Sequence, residues 1–313
     1  MLFKKNFIPI VFGCSNNYVP YLYVTIISLL DHISNKNFYE LNILNSDIQE
    51  FSKSNILKLV ENKKNVKVNF IDVSQICVEK QQYFDLFKKA NNVTSNHNLV
   101  AFYSIFIPEF FAKYEKVLYL DADLVILSDV AELYKQDLHD NVLGGILDFQ
   151  IISAAKSNAI CRNTRLDTYF SDILKLDYTK YVNTGVFLVN VTKMKNMNFL
   201  DKALNLIKTT PIFYPDQDVY NTICNDSVEI LSPKWNYQAI FDNRAFLKVS
   251  GENTYQDYFS DFTVPNILHY ASKQKIPDLK SFFEVMFWKY ARKTPYYEAL
   301  LDMRILEIKY VKK

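Results

Sequence analysis

Lys116–Val117–Leu118–Tyr119–Leu120–Asp121–Ala122–Asp123 places a short apolar run directly before two carboxylates. Parallel strands covered on both faces read as such runs, and their C-terminal ends are where open α/β sheets hold ligands. Two aspartates there are costly unless something positive pairs with them, and the next charged residue downstream is Asp129. A hard divalent ion bridging a phosphorylated ligand answers that charge, and a solvated strand-end turn is the competing reading. The spacing itself discriminates weakly. A D-x-D triplet turns up about once by chance in a chain of this length, and Asp216–Gln217–Asp218 is a second. Position at the end of an apolar strand sets the first one apart.

Upstream, the run Ile8 to Phe12 leads into a turn of small polar residues, Gly13–Cys14–Ser15–Asn16–Asn17. The apolar spacing after it predicts a helix from about Tyr18 to His32. Strands follow at Tyr39–Leu44 and Val66–Ile71, with a helix from about Ser52 to Glu61 between them. Short strands alternating with helices are βαβ grammar and predict an α/β fold with a mostly parallel sheet and helices on both faces. The aromatic-rich segment Leu99–Tyr114 reads as a helix that Pro108 interrupts or kinks.

Downstream, Val142–Leu147 is a strand ending at Asp148, and 151–178 has mixed periodicity suited to a substrate-facing excursion. V-N-T-G-V-F-L-V-N, residues 182–190, puts a small polar break before another buried strand. Leu200–Ile207 is helical, and Tyr214–Pro215–Asp216–Gln217–Asp218 precedes a helix beginning near Val219. Capping that helix is the plain reading of Asp216 or Asp218. His269 follows the largely apolar residues 264–267, with Lys273 and Lys275 just beyond. A lone histidine is more often structural, yet this imidazole could complete a mixed N/O shell with Asp121 and Asp123, and the lysines could meet phosphate as point charges.

The 313 residues, 49% hydrophobic and 22% charged, suit a folded globular chain with a large core. A formal charge of +2 argues against a dedicated nucleic-acid partner. Cys14, Cys77, Cys161 and Cys224 are far apart, so reduced cytoplasmic thiols are expected rather than a disulfide framework or structural zinc. The run Phe7–Gly13 is too short to span a bilayer. From Leu279, apolar residues recur at Phe282, Phe283, Met286, Phe287 and Tyr290, beside Lys280, Lys289, Arg292 and Lys293. That stripe either docks on an anionic membrane surface near a lipid-linked acceptor, with Trp288 and Tyr296 in an interface, or closes the core or a dimer contact.

Taken in order, V-F-G-C-S-N-N-Y, V-L-Y-L-D-A-D, N-T-G-V-F-L-V-N, P-D-Q-D and L-H-Y-A-S-K-Q-K resemble family 8 glycosyltransferases. These are retaining enzymes of the GT-A nucleotide-sugar-binding fold, and the likeness spans roughly residues 8 to 277. It is nearest to bacterial lipopolysaccharide or surface-glycan hexosyltransferases, and F-W-K-Y-A-R-K-T-P-Y-Y is similar to the C-terminal extension of that branch. The resemblance implies a catalytic domain at 1–277 and a helical extension at 278–313. It implies that Asp121, Asp123 and His269 bind Mn2+, or Mg2+, bridging the diphosphate of a UDP-sugar that Lys275 approaches. Gly13, Cys14, Ser15 and Asn17 would line the nucleotide pocket, with Ala122 between the metal ligands. Asp148 and Asn183 would make polar contacts around donor sugar and acceptor. Asp216 would bind the sugar, and Gln217 would lie beneath the anomeric carbon.

The chain departs from the family where Ser15 replaces an aspartate, Ser104 an arginine, and Lys275–Ile276–Pro277 a lysine–proline–tryptophan ending. A serine hydroxyl offers one hydrogen bond without the charge. The implied reaction moves a glucosyl or galactosyl group to a saccharide or lipid-linked hydroxyl, peripherally at the cytoplasmic face of the inner membrane. Two other readings stay open. Nucleotidyl or phosphoryl transfer also uses paired aspartates, although no G-x-x-x-x-G-K loop is present. A non-catalytic or weakly active glycan-binding protein could keep the same motifs.

Overall fold

The predicted alternation builds a seven-stranded mixed sheet in a computed structural model of the chain, which describes residues 6–91, 96–238, 264–271 and 282–311. The strands in chain order are β1 (Asn6–Gly13), β2 (Asn37–Asn45), β3 (Val66–Asp72), β4 (Lys116–Leu120), β5 (Leu124–Ile126), β6 (Leu143–Leu147), β7 (Ile160–Cys161), β8 (Thr164–Arg165), β9 (Val182–Asn190), β10 (Val228–Ile230), β11 (Tyr237–Gln238) and β12 (Ile267–His269). The main sheet runs β10-β6-β9-β4-β1-β2-β3 and is parallel except where β9 inserts between β4 and β6. Side chains alternate across β4. Leu118 and Leu120 enter the core shared with the helix Val19–Leu30, while Val117 and Tyr119 enter the core on the other face, with Phe102, Phe106 and Tyr220. Burial on both faces is why this strand reads as an unbroken apolar run.

The antiparallel insertion of β9 has a local consequence. It brings Asn183–Gly185, at the beginning of β9, beside the end of β4, and the Asp121 N–H donates to the Gly185 carbonyl at 2.8 Å. β5 leaves the main sheet to pair with β12, which puts His269 opposite Leu124, and β11 runs parallel to β12 with Gln238 opposite His269. The helix Val19–Leu30 closes the remaining edge of β5. Thr25 Oγ1 accepts from the Leu124 N–H at 2.9 Å and lies 2.7 Å from the Ala122 carbonyl, and Ser28 Oγ accepts from the Ile126 N–H at 2.9 Å. Without those hydroxyls a buried strand edge would be left unpaired.

Two local expectations are corrected. Residues 96–106 form 3-10 turns, and Pro108 stands in the first turn of the short helix Ile107–Phe110, where its missing N–H costs nothing, rather than interrupting a longer one. The helix expected near Val219 starts at Pro215 for the same reason, so Asp216, Gln217 and Asp218 all lie within its first turns. The segment after Asp148 opens as the helix Phe149–Lys156, capped by Asp148 Oδ1, which accepts the Ile151 N–H at 3.0 Å.

Most of the C-terminal stripe packs into the core. In the helix Phe282–Ala291, Phe287, Trp288 and Tyr290 are buried in the same core as the helix Val19–Leu30. Phe283 and Met286 pack against it, and Phe282 and Val285 stay exposed. Tyr296 meets Tyr23 edge-on at 5.4 Å, and Lys293 pairs with Asp31 at 2.6 Å. Burying each large apolar side chain there contributes about 1.5–3 kcal/mol. Among the described residues, no helix is long and apolar enough to cross a membrane.

Candidate functional site

Asp121 and Asp123 leave the end of β4 on the turn that Thr25 holds, and β12 delivers His269 to the same point. His269 Nε2 lies 3.5 Å from Asp121 Oδ2 and 3.4 Å from Asp123 Oδ1. Such spacing is long for charge-assisted hydrogen bonds, which run about 2.7–2.9 Å. It matches ligands at about 2.1–2.5 Å from one cation and at right angles to each other, which stand about 3.0–3.5 Å apart. Candidate ligand atoms of these three residues all lie within 4.8 Å of one another. His269 and Asp123 are buried and Asp121 opens to the pocket, so the donor set of two carboxylates and one imidazole fits a divalent ion with room for a ligand on the Asp121 side.

Without an ion, a proton takes its place. Burial by itself pulls the His269 imidazole down, but Asp121 and Asp123 outweigh it and push the pKa up to about 9. This raised pKa stabilises the metal-free fold below about 6.5, and that contribution is lost as the pH climbs through 9. An arriving cation must displace the proton. Mn2+ affinity should therefore rise about tenfold per pH unit below that range, with about one proton released per ion at neutral pH. Calorimetry in buffers of different ionisation enthalpy reads the proton count. Buffer-independent heats would show that His269 is neutral in the free protein.

From the ion site, a pocket of about 520 Å³ runs past Thr184 and Gly185 to Asp148, Asn183, Asp216 and Gln217. Gln217 Nε2 donates to Asp148 Oδ2 at 2.9 Å, and Asn183 Nδ2 donates to the same oxygen at 3.0 Å. Asp216 is half-buried and accepts from the Ser104 hydroxyl at 3.4 Å. Loss of water around it, then the Asp121 charge, push its carboxyl up to about 8. Ser104 puts a neutral hydroxyl beside that carboxylate.

The predicted residues divide into groups. Asp121, Asp148, Asn183, Asp216, Gln217 and His269 line the one pocket, and Asp123 backs it as the third member of the ion cluster. Ala122 is buried and contributes its carbonyl to Thr25. Gly13 ends β1, and Cys14 is fully buried, its thiol pushed well up by burial, with Sγ against the Ser15 carbonyl. Ser15 Oγ is buried with no hydrogen-bond partner among the described residues, and Asn17 is exposed on the following 3-10 turn. Lys275 lies outside the described residues, as does Lys273.

Four contributors carried no usable signal in the sequence. Gly185 reads in the sequence only as part of a small polar break before a strand, yet it lies within β9. A Cβ built there would stand 2.1 Å from His269 Cε1 and 2.9 Å from Asp121 Oδ2, so the bare backbone is the cradle of the ion site. Thr25 sits inside an apolar helix. Asn236 touches His269 only because β11 pairs with β12. Gln150 lines the pocket with a buried Nε2 that has no partner among the described residues, a donor available to a ligand oxygen.

Comparisons with known proteins bear on the family and the fold. A relative from Haemophilus influenzae and the glycosyltransferase GlyF of Streptococcus pneumoniae serotype 4 are each 26% identical, over 73% and 85% of this chain. The chain spans 62% and 56% of their lengths, less than two thirds of either. The solved structure of the galactosyltransferase LgtC in complex with donor and acceptor sugar analogues shares the fold, with a TM-score of 0.72, 20% identity, and coverage of 92% of this chain and 96% of that one. Residues 9–276 match the profile of glycosyl transferase family 8, and with that match over most of its length the chain belongs to that family.

Proposed function

We propose that the protein transfers a hexosyl group, glucose or galactose, from a UDP-sugar to a hydroxyl of a lipopolysaccharide or other surface-glycan acceptor, with retention at the anomeric carbon. The observation that carries this reading is the pocket itself. One end gathers Asp121, Asp123 and His269 in a cation-binding arrangement, and the other gathers Asp148, Asn183, Asp216 and Gln217 in a hydroxyl-binding one. A diphosphate-linked sugar needs both. The first three residues would hold Mn2+, which supplies charge neutralisation to the departing diphosphate.

The sugar end supports same-face attack. Gln217 Oε1 already accepts from Asn183 Nδ2 at 3.1 Å and from the Thr184 N–H at 3.3 Å, so its lone pairs are engaged and it is a poor nucleophile. An oxocarbenium-like ion pair, with the leaving phosphate oxygen taking the acceptor proton, asks only that the chain orient the sugar and exclude water. The Ser15 hydroxyl, buried and without a hydrogen-bond partner among the described residues, suits a single neutral hydrogen bond to a nucleotide base.

Calorimetry of UDP, GDP and UMP with and without Mn2+ tests the reading. UDP binding should require Mn2+ and be lost in Asp121→Ala. Folded protein that binds neither diphosphate with Mn2+ would remove the donor-site assignment. Release of hexose with intact UDP would mark glycosyl transfer, whereas UMP with sugar phosphate would mark cleavage within the diphosphate.

A further inference from the structure

Along the pocket wall, five side chains form one continuous hydrogen-bonded chain: His269, Asn236, Asn183, Gln217 and Asp148. Each is at least nine-tenths buried. An amide can face either way, but here the backbone leaves no choice. The Gly185 N–H, which can only donate, points at Asn183 at 2.9 Å, so that atom of Asn183 must be its oxygen. The Asn183 Nδ2 must then face Asp148 Oδ2 and Gln217 Oε1, as it does. The Thr184 N–H fixes Gln217 in the same sense from the other side.

The constraint passes outward to the ion site. Asn236 reaches the Asn183 oxygen at 2.8 Å and so must present its Nδ2 there. Its own oxygen is therefore turned to His269, 2.9 Å from Nδ1. Only a protonated Nδ1 can meet that oxygen, so in the neutral ring Nε2 is the atom that carries the lone pair, aimed at Asp121 and Asp123. We propose that Asn236 is a positioning residue for the cation site, holding His269 as the Nδ1–H tautomer through an amide relay whose polarity is set by the Gly185 and Thr184 N–H groups. The inference rests on the reading of Asp121, Asp123 and His269 as an ion site, and it ties that site to Asp148 and Gln217 at the sugar end.

Full-length wild type, Asn236→Ala and Asn236→Asp are titrated with Mn2+ alone, following the free ion by electron paramagnetic resonance. Loss of the second partner of a ligating histidine lowers ion affinity about 10–100-fold, and Asn236→Ala should show that loss. Asn236→Asp keeps an acceptor for Nδ1–H but sets its second oxygen against the Asn183 oxygen, which is also an acceptor, so it should recover affinity only in part, above Asn236→Ala and below wild type. Equal affinity in wild type and Asn236→Ala overturns the proposal, and so does Asn236→Asp binding no better than Asn236→Ala.

A second arm needs no ion. Nitrogen-15 spectra of metal-free wild type at about pH 10, above the titration of the imidazole, should show His269 with Nδ1 protonated and Nε2 bare, assigned by its absence in His269→Gln. An Nε2–H tautomer in wild type overturns the relay whether or not Asn236→Ala folds. If wild type takes up no Mn2+, the ion-site reading fails, and this spectrum alone decides whether the relay orients the ring.

Discussion

Gly185→Ala is expected to weaken Mn2+ binding by about 100-fold or more, and with it Mn2+-dependent UDP binding. The added methyl would sit 2.1 Å from His269 Cε1, 2.7 Å from Nδ1 and 2.9 Å from Asp121 Oδ2. Neither ligand can yield in place. His269 is held by Asn236 and by the β5–β12 pairing, and the Asp121 N–H is bonded to the carbonyl of residue 185 itself. The ring must swing away from the two carboxylates, and overpacking adds about 1–3 kcal/mol of destabilisation. Gly144→Ala serves as control, because its closest clash, at 2.5 Å, is with the far end of Leu138, a flexible side chain remote from the ion cluster. Ion titrations together with thermal melts separate the two effects. Folded Gly185→Ala protein with wild-type Mn2+ affinity would remove the ion site from this corner of the pocket.

Asp218→Ala should be the most destabilising single change near the pocket, at about 3–5 kcal/mol. Asp218 is fully buried and accepts from the Tyr169 and Tyr181 hydroxyls and from the Phe213 and Tyr214 N–H groups. Alanine would strand those donors. Asparagine would not, since its oxygen can serve the three donors on one side while its amide donates to Tyr181, whose hydroxyl can accept. Asp218→Asn should therefore cost only about 1 kcal/mol. Burial pushes the Asp218 carboxyl up to about 6, with the four donors pulling the other way. The folded state therefore holds this proton more tightly than the unfolded chain does. Its contribution is fully present below about pH 4 and is lost as the pH rises through 6. Asp218→Asn should remove that part of the slope in chemical denaturation between pH 4 and 6. An unaltered slope would assign it to another group.

The two D-x-D triplets show where reading the chain reaches its end. Both have the same spacing, and strand context alone favoured the first as an ion pair. In the second, Asp216 faces the pocket and Asp218 turns inward to brace the turn before its own helix. Tyr214 occupies the helix N-cap, and Asp218 meets the capping expectation from within the helix by accepting the Tyr214 N–H, which Asp216 does not. Successive residues in a first helical turn point about 100° apart, so residues two apart land on different sides. Which side holds the ligand depends on the packing of the helix.

The sequence by itself determined the α/β alternation and the strand that ends in Asp121 and Asp123, a carboxylate pair able to hold a cation, while the sugar-contacting residues were named only through the family resemblance. The alternation and the carboxylate pair follow from local patterning, in which apolar period and charge position are written residue by residue. Tertiary structure alone decided what completes them. Antiparallel insertion of β9 lays Gly185 against Asp121, and the β5–β12–β11 pairing brings His269 and Asn236 together from distant parts of the chain. Strand order and register are set by how whole faces bury against one another, so no local pattern records them.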